Sequence, residues 1–256
     1  YMIFLQIVME SLPISSSGNC ALWTHFIELY TTVKTCIMPV DIDFLLHGPT
    51  MIVIGVYFFD VISWYVLHIR TTYKKLILYG ISIFMAEIIT CIGYVLIRHY
   101  KLISIPLSLG FLITAGLLFS LYWCKKQPMK KIITIKDGVL LGCVQACALL
   151  PGISRFAITF VTARWLGFYK EHAFGYSFLL QMPLLGAAFL KGLYGVYSGN
   201  VDVVIFTYPV LSVVIVSTFI SYYIFTLVGK VVMADRMQKF CWYVVATSII
   251  AYGYGL

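Results

Sequence analysis

The sequence predicts an all-α integral membrane protein, an inverted-topology repeat with about six full spans and two re-entrant helical hairpins. Three observations carry that expectation. Of the 256 residues, 61% are hydrophobic and only 11% charged, with mean hydropathy +0.95, whereas a soluble domain carries about 25% charged residues. The apolar stretches are long and continuous rather than alternating over ~10-residue strands, which selects helices over a barrel. Two of those stretches are interrupted by Pro/Gly/Ser-rich polar turns, and the order of elements then repeats.

Taken along the chain, residues 1–30 form the first interrupted stretch, with its break at Pro13 to Gly18. Full spans are expected over 44–69, 76–97 and 104–124. The second interrupted stretch is 138–168, broken at Pro151-Gly152, and further spans are expected over 173–197, 203–229 and 239–256. A helix broken at membrane depth frees backbone groups that lipid cannot satisfy, so each interrupted stretch is read as helix in, polar turn, helix out. Each half of the chain therefore reads as a hairpin followed by three spans: a single membrane domain over 1–256, with a first repeat over 1–124 and a second, inverted one over 125–256. Gln6 lies nine residues before Ser15 and Gln145 nine before Ser154, with Pro13 and Pro151 in comparable places.

Charge fixes the expected orientation. With a 70–75 loop placed inside, thirteen lysines and arginines share that side; Lys34, Arg98, Lys101 and Lys191 do not, and Arg155 stays within the membrane. That is a positive-inside pattern, and it brings the first hairpin in from outside and the second from the cytoplasm, as in inverted-repeat folds. The formal net charge of +8 belongs to topology and anionic lipid, and nucleic acid is excluded as a partner. The seven scattered cysteines, without a CxxC, are read as packing residues. No cleavable signal peptide is visible. Tyr1 already lies inside an apolar segment, and a few residues are expected to precede it.

The chemistry is concentrated at the two breaks. Gln6 and Glu10, at i and i+4, share a helix face, where an amide and a carboxylate suit a hard cation that also binds phosphate oxygens; the plainer reading is a helix-packing pair. Ser15, Ser16 and Ser17 precede Gly18 at the turn. Hydroxyls and backbone N–H groups at a helix end make an anion site, and one serine is a candidate nucleophile on phosphorus, although capping alone also uses serine. Arg155, flanked by Ile153, Phe156 and Ile158, costs at least ~2.5–3.5 kcal/mol at a bilayer centre. Its planar fork suits phosphate; the structural alternative is an ion pair with Glu10. Ser154 and Thr159 add hydroxyls beside it. Glu87 sits mid-span with no evident partner, and His47-Gly48-Pro49-Thr50 opens a span.

At these residues the chain resembles the undecaprenyl-diphosphate phosphatase, or bacitracin-resistance, family as a divergent member. The family's Glu/Gln-x-x-x-Glu and Pro-Val-Ser-Ser-Thr-Gly-His turn stand here as Gln6, Glu10 and Pro13-Ile14-Ser15-Ser16-Ser17-Gly18-Asn19. Its Pro-Gly-x-Ser-Arg-Ser-x-x-Thr motif stands as Pro151-Gly152-Ile153-Ser154-Arg155-Phe156-Ala157-Ile158-Thr159. Ser177-Phe178-Leu179-Leu180-Gln181-Met182-Pro183 is similar to its Phe-Ser-Phe-Leu-Leu-x-x-Pro segment, and His47-Gly48-Pro49-Thr50 to its His-Leu-Gly-Thr. The resemblance implies hydrolysis of a polyprenyl diphosphate to the monophosphate and phosphate, assisted by Mg²⁺ or Ca²⁺, in the bacterial plasma (inner) membrane with the site toward the outer face. Catalysis would fall to Ser16, Glu10 and Arg155, the metal to Gln6 and Glu10, and substrate binding to Ser15, Ser17, Asn19, Ser154 and Thr159. The implied partners are the lipid diphosphate and the membrane, with a second copy of the chain, as a homodimer, a further candidate.

Two departures bear on activity. Asn19 replaces the motif histidine, and an amide cannot accept a proton near pH 7. Phe156 replaces the motif's second serine. Three explanations stay open: the metal suffices, another base such as His25 or His47 substitutes, or the chain is a catalytically impaired relative. A polyprenyl-phosphate flippase or carrier without hydrolysis is the alternative from another class.

Overall fold

The computed structural model describes residues 2–30, 40–100, 105–124, 130, 132–198 and 207–256. Lys34, Lys101, Lys125, Lys126 and Lys131, which enter the charge bias, lie outside the described residues, as do Cys36 and the first residues of the expected 203–229 span. The helices are α1 (Met2–Met9), α2 (Ser16–Tyr30), α3 (Val40–Leu45), α4 (His47–Tyr57), α5 (Phe59–Leu67), α6 (Ile69–Tyr100) and α7 (Leu107–Ser120), then α8 (Ile135–Cys147), α9 (Arg155–Trp165), α10 (Lys170–Tyr197), α11 (Tyr208–Met233) and α12 (Phe240–Gly253). No strand forms among the described residues.

Among the described residues, three helices are long and apolar enough to cross a membrane: α6, α10 and α11. A fourth crossing is available to the bent pair Ile42–Tyr57 and Phe59–Leu67, which turns by 62°. At about 1.5 Å per residue, α1 is only about 12 Å long and α8 about 20 Å, short of a hydrocarbon core of about 30 Å. Both are followed by a polar turn and a second helix packed back on the first. Helices α7 and α12 are 14 residues each and lie against one another.

The expected 44–69 span is present as a bent pair of helices that breaks at Phe58. That bend lets the Phe58 ring join Phe174, Phe178 and Phe225, at centroid distances of 5.8, 6.5 and 6.3 Å. The 70–75 segment is not a loop. The break falls at His68, and Arg-Thr-Thr-Tyr-Lys-Lys continues as the first turns of α6, since it contains no Gly or Pro to stop a helix and its Arg and Lys residues favour one. The Thr71 and Thr72 hydroxyls donate back to the His68 carbonyl at 2.9 and 2.8 Å. Helix α11 starts at Tyr208, where Pro209 in the first turn is pre-set for a helix start.

Two packing seams position the polar turns. Between α6 and α8, a Cβ on Gly138 would lie 2.4 Å from the Ser82 carbonyl oxygen and one on Gly142 2.6 Å from Ala86 Cα. This small-residue contact is the device that lets membrane helices approach closely. Behind α9, Phe156 packs on Phe178 at 4.6 Å and Phe174 at 5.7 Å, and Phe225 closes the cluster against Phe178 at 4.6 Å. On the far side, the Ser11 hydroxyl meets that of Ser221 at 2.7 Å, fixing α11 beside the first turn.

Candidate active site

The two polar turns meet. A Cβ on Gly18 would stand 3.1 Å from Gly152 Cα, so residues far apart in sequence share one small cavity. It is lined by Glu10, Ser15, Ser16, Ser17, Ser154 and Arg155, with Thr50, Phe156 and Gln181 among the other wall residues. Its volume is about 70 Å³, space for about five to seven waters at roughly 10–15 Å³ each.

The first turn is held in an uncommon backbone conformation. Ser15 has φ +59°, a left-handed geometry that non-glycine residues seldom adopt and that clusters at functional sites. Asn19 secures it: its side-chain amide donates to the carbonyls of Ile14 and Ser15 at 2.6 and 3.0 Å, and its oxygen accepts from the Tyr243 hydroxyl at 2.9 Å. Ser16 follows as the first residue of α2.

The second turn needs its glycine. Gly152 has φ +81°, and a Cβ there would lie 2.6 Å from the Leu107 carbonyl oxygen. Gly110 must also lack a side chain, since its Cβ would sit 1.9 Å from the Pro151 carbonyl oxygen. Ser154 caps α9, accepting from the Ala157 amide at 3.2 Å, and Arg155 opens the helix beside it.

Glu10 is clasped from the other side. His47 Nδ1 is 2.5 Å from one carboxylate oxygen, though its alignment is not that of a good hydrogen bond. The Thr50 hydroxyl donates to the other oxygen. Glu10 therefore pairs with His47 rather than with Arg155, and among the described residues Arg155 enters no ion pair. Its Nε is buried without a hydrogen-bond partner among the described residues. The fields of Glu10 and Glu87 both reach it. Glu87 does have a partner: Gln145, on α8, donates to it at 3.0 Å.

Three of the residues anticipated for the site stand away from the cavity lining. Gln6 is buried with its side-chain oxygen accepting from the Cys20 thiol at 3.2 Å. Asn19 is committed to the first turn. The Thr159 hydroxyl donates to the Arg155 carbonyl at 2.9 Å, within its own helix. Thr114 enters the site environment without a motif to announce it, and Gln181 from an unspecified position of the Ser177-to-Pro183 segment, to which no role was assigned. Their one sequence signal is that each is a polar residue inside an apolar span.

The donor set accommodates a divalent cation in part. Glu10 lines the cavity among four serines, and a cation such as Mg²⁺ uses one or two carboxylates together with phosphate oxygens and water. Gln6 stands outside this lining, and among the described residues no group of three His, Cys, Asp or Glu side chains is assembled.

The comparisons agree in direction. The family model described as bacitracin resistance protein BacA matches residues 2–250. The chain is 30% identical to an undecaprenyl-diphosphatase of Geotalea daltonii over 96% of this chain and 93% of that protein. It is 28% identical to undecaprenyl-diphosphatase 4 of Bacillus thuringiensis (strain Al Hakam), over 96% and 92%. A stretch of 142 residues is 38% identical to an undecaprenyl-diphosphatase of Geobacter metallireducens, covering 52% of this chain and 50% of that one.

Proposed function

The chain belongs to the bacitracin resistance protein BacA family, and from that premise we propose that it hydrolyses undecaprenyl diphosphate to the monophosphate and inorganic phosphate. It is a multi-pass membrane lipid diphosphatase, a role that recycles the carrier lipid of cell-wall synthesis. The observation that carries the reading is the shared cavity of Ser16, Glu10 and Arg155, in which the arginine Nε is buried and unpartnered. A carrier or flippase is not favoured, since the relatives matched are named as diphosphatases.

The chemistry follows from the residues in the cavity. Arg155 and the amide end of α2 bind the terminal phosphate of the lipid headgroup. Ser16 Oγ attacks the terminal phosphorus, the bond to the bridging oxygen breaks, and the lipid monophosphate leaves. Water then hydrolyses the phosphoserine. The serine proton goes to the Glu10–His47 pair, which does the work an amide at Asn19 cannot. Ser15 and Ser17 donate to phosphate oxygens, and Ser154 holds the turn that presents Arg155. A bound Mg²⁺ or Ca²⁺ held by Glu10 would neutralise diphosphate charge and ease departure of the leaving group.

The architecture we propose keeps six crossings, with α7 and α12 completed by neighbouring chain, and α1–α2 and α8–α9 as re-entrant hairpins. Residues 1–124 and 125–256 are then repeats of opposite orientation, in a bacterial plasma membrane with the cavity toward the outer face. The test is phosphate release from a C55 polyprenyl diphosphate in detergent micelles, with Mg²⁺, with Ca²⁺ and with chelator, beside Ser16→Ala and Arg155→Ala. Metal-dependent release lost in both variants is the expected result. Absence of release from folded wild type that still binds the lipid overturns hydrolysis.

A further inference from the structure

One wall of the cavity belongs to α10, and one residue there is out of character. Phe174, Phe178, Gln181 and Leu185 follow each other at helical spacing and are all buried, Gln181 to 7% exposure. The three apolar members pack or line as apolar residues do. Gln181 lines the same cavity as Ser16 and Arg155, and its side-chain Nε2 is buried with no hydrogen-bond partner among the described residues. A buried amide without a partner is a standing cost, and natural proteins seldom keep one without a use. Phe156 lines the same cavity and is held in the aromatic cluster, 4.6 Å from Phe178. A side chain at that position offers no donor to the cavity. Gln181, one helical turn past Phe178, does.

We propose that Gln181 is a substrate-binding residue whose side-chain amide donates to a phosphoryl oxygen of the lipid diphosphate, supplying from α10 the polar contact that Phe156 does not. The proposal rests on the cavity being the diphosphate site. The two donors then approach the headgroup from different helices: the Arg155 guanidinium from α9 and the Gln181 amide from α10. Planar, neutral and buried, the amide adds a directed hydrogen bond without adding charge at membrane depth.

The deciding experiment is binding rather than turnover, so that it stands apart from the hydrolysis reading. A methylene-bridged farnesyl diphosphonate, which cannot be cleaved at the bridge, is titrated into wild type, Gln181→Leu and Gln181→Glu in detergent micelles, with thermal unfolding of each protein recorded alone. Gln181→Leu is expected to weaken binding at least about tenfold, the scale of one hydrogen bond to a charged group. Its Tm without ligand should be unchanged or higher, because an unsatisfied polar group has been removed; a structural glutamine would show the reverse. Gln181→Glu keeps the size and exchanges the donors for an anionic oxygen, and is expected to bind more weakly still. Affinity within twofold of wild type in Gln181→Leu overturns the proposal. If that variant does not fold, wild-type affinity in Gln181→Glu overturns it instead. Inorganic phosphate forms a second arm. Equal weakening there assigns the amide to the phosphoryl group that leaves, and weakening of the diphosphonate alone assigns it to the phosphate that stays on the lipid. Wild type that binds the diphosphonate but releases no phosphate from the C55 lipid would end the hydrolysis reading and leave this result standing.

Discussion

The hydroxyl of Thr114 spans the turn that presents Arg155: it accepts the Ser154 amide at 3.0 Å and donates to the Gly152 carbonyl at 3.0 Å, a proton shared with the Gly110 carbonyl at 3.1 Å. Thr114 is fully buried, so water cannot take its place. Thr114→Val keeps the shape and strands a buried amide and carbonyl, which costs about 1–3 kcal/mol. We expect a lower Tm in micelles and phosphate release reduced about tenfold, with Thr114→Ser restoring both.

Asn19 makes three hydrogen bonds and Tyr243 one of them. Tyr243→Phe should therefore cost about 1 kcal/mol and Asn19→Ala clearly more, read as thermal unfolding. Asn19→His, which restores the family's residue at this position, is expected to lower stability rather than raise turnover, because an imidazole cannot donate to both carbonyls while accepting from Tyr243. A several-fold gain in kcat from Asn19→His would show that the Glu10–His47 pair is not the proton acceptor.

Arg155→Lys keeps the charge but loses the planar fork. Phosphate release by Arg155→Lys should fall nearly as far as by Arg155→Ala, at least about a hundredfold in kcat/KM, on the scale of a lost charge-assisted contact pair. Wild-type kcat/KM in the lysine variant would reduce Arg155 to a point charge.

Gly142 abuts the Ala86 backbone at the α6–α8 seam. Because the clash is with backbone, the helices must separate to admit a side chain. Gly142→Leu should destabilise by about 1–3 kcal/mol or more, and disturb the Gln145–Glu87 hydrogen bond one turn on. Wild-type thermal stability for Gly142→Leu would show that the seam is loose.

Asp137 caps α8 at the rim of the second hairpin, taking hydrogen bonds from the Thr134 amide and hydroxyl, each at 2.7 Å, and from Lys130 at 2.5 Å. Burial pushes its carboxyl up, but the Lys130 ammonium and the Thr134 donors together outweigh that and hold it below the ordinary carboxylate value. The stabilisation is therefore present above the ordinary carboxylate range and lost as pH falls through the depressed value. In acid titrations followed by thermal unfolding, Asp137→Asn should be less stable at neutral pH and show a shallower acid limb than wild type.

What was legible in the sequence is what membrane burial makes expensive. Glu10, the three serines, Ser154 and Arg155 stand out because such groups rarely occur between apolar runs without a use, and all line the cavity. Spacing alone did not show which others would stand outside the cavity lining. Gln6 shares a helix face with Glu10 in projection, yet its amide is taken up by Cys20, and Thr159 bonds back to its own helix, as threonines in apolar helices commonly do. Thr114 was not legible for the converse reason: a lone hydroxyl in a long span has no local signature, and its role depends on which helix folds against it. Gln181 lies in the quoted Ser177-to-Pro183 segment, but at a position that the pattern leaves unspecified, so its place in the cavity wall was hidden as well. Bend positions were hidden similarly, since Phe58 is an ordinary apolar residue until Phe174, Phe178 and Phe225 supply a place for its ring.

Ser15 is held in a left-handed conformation, and Arg155 and Gln181 each keep a buried nitrogen without a partner. Selection for heat resistance alone would therefore act against this site first. Variants enriched by that selection should relax Ser15 to glycine and turn Gln181 apolar, yielding a sturdier protein that has forgotten its substrate.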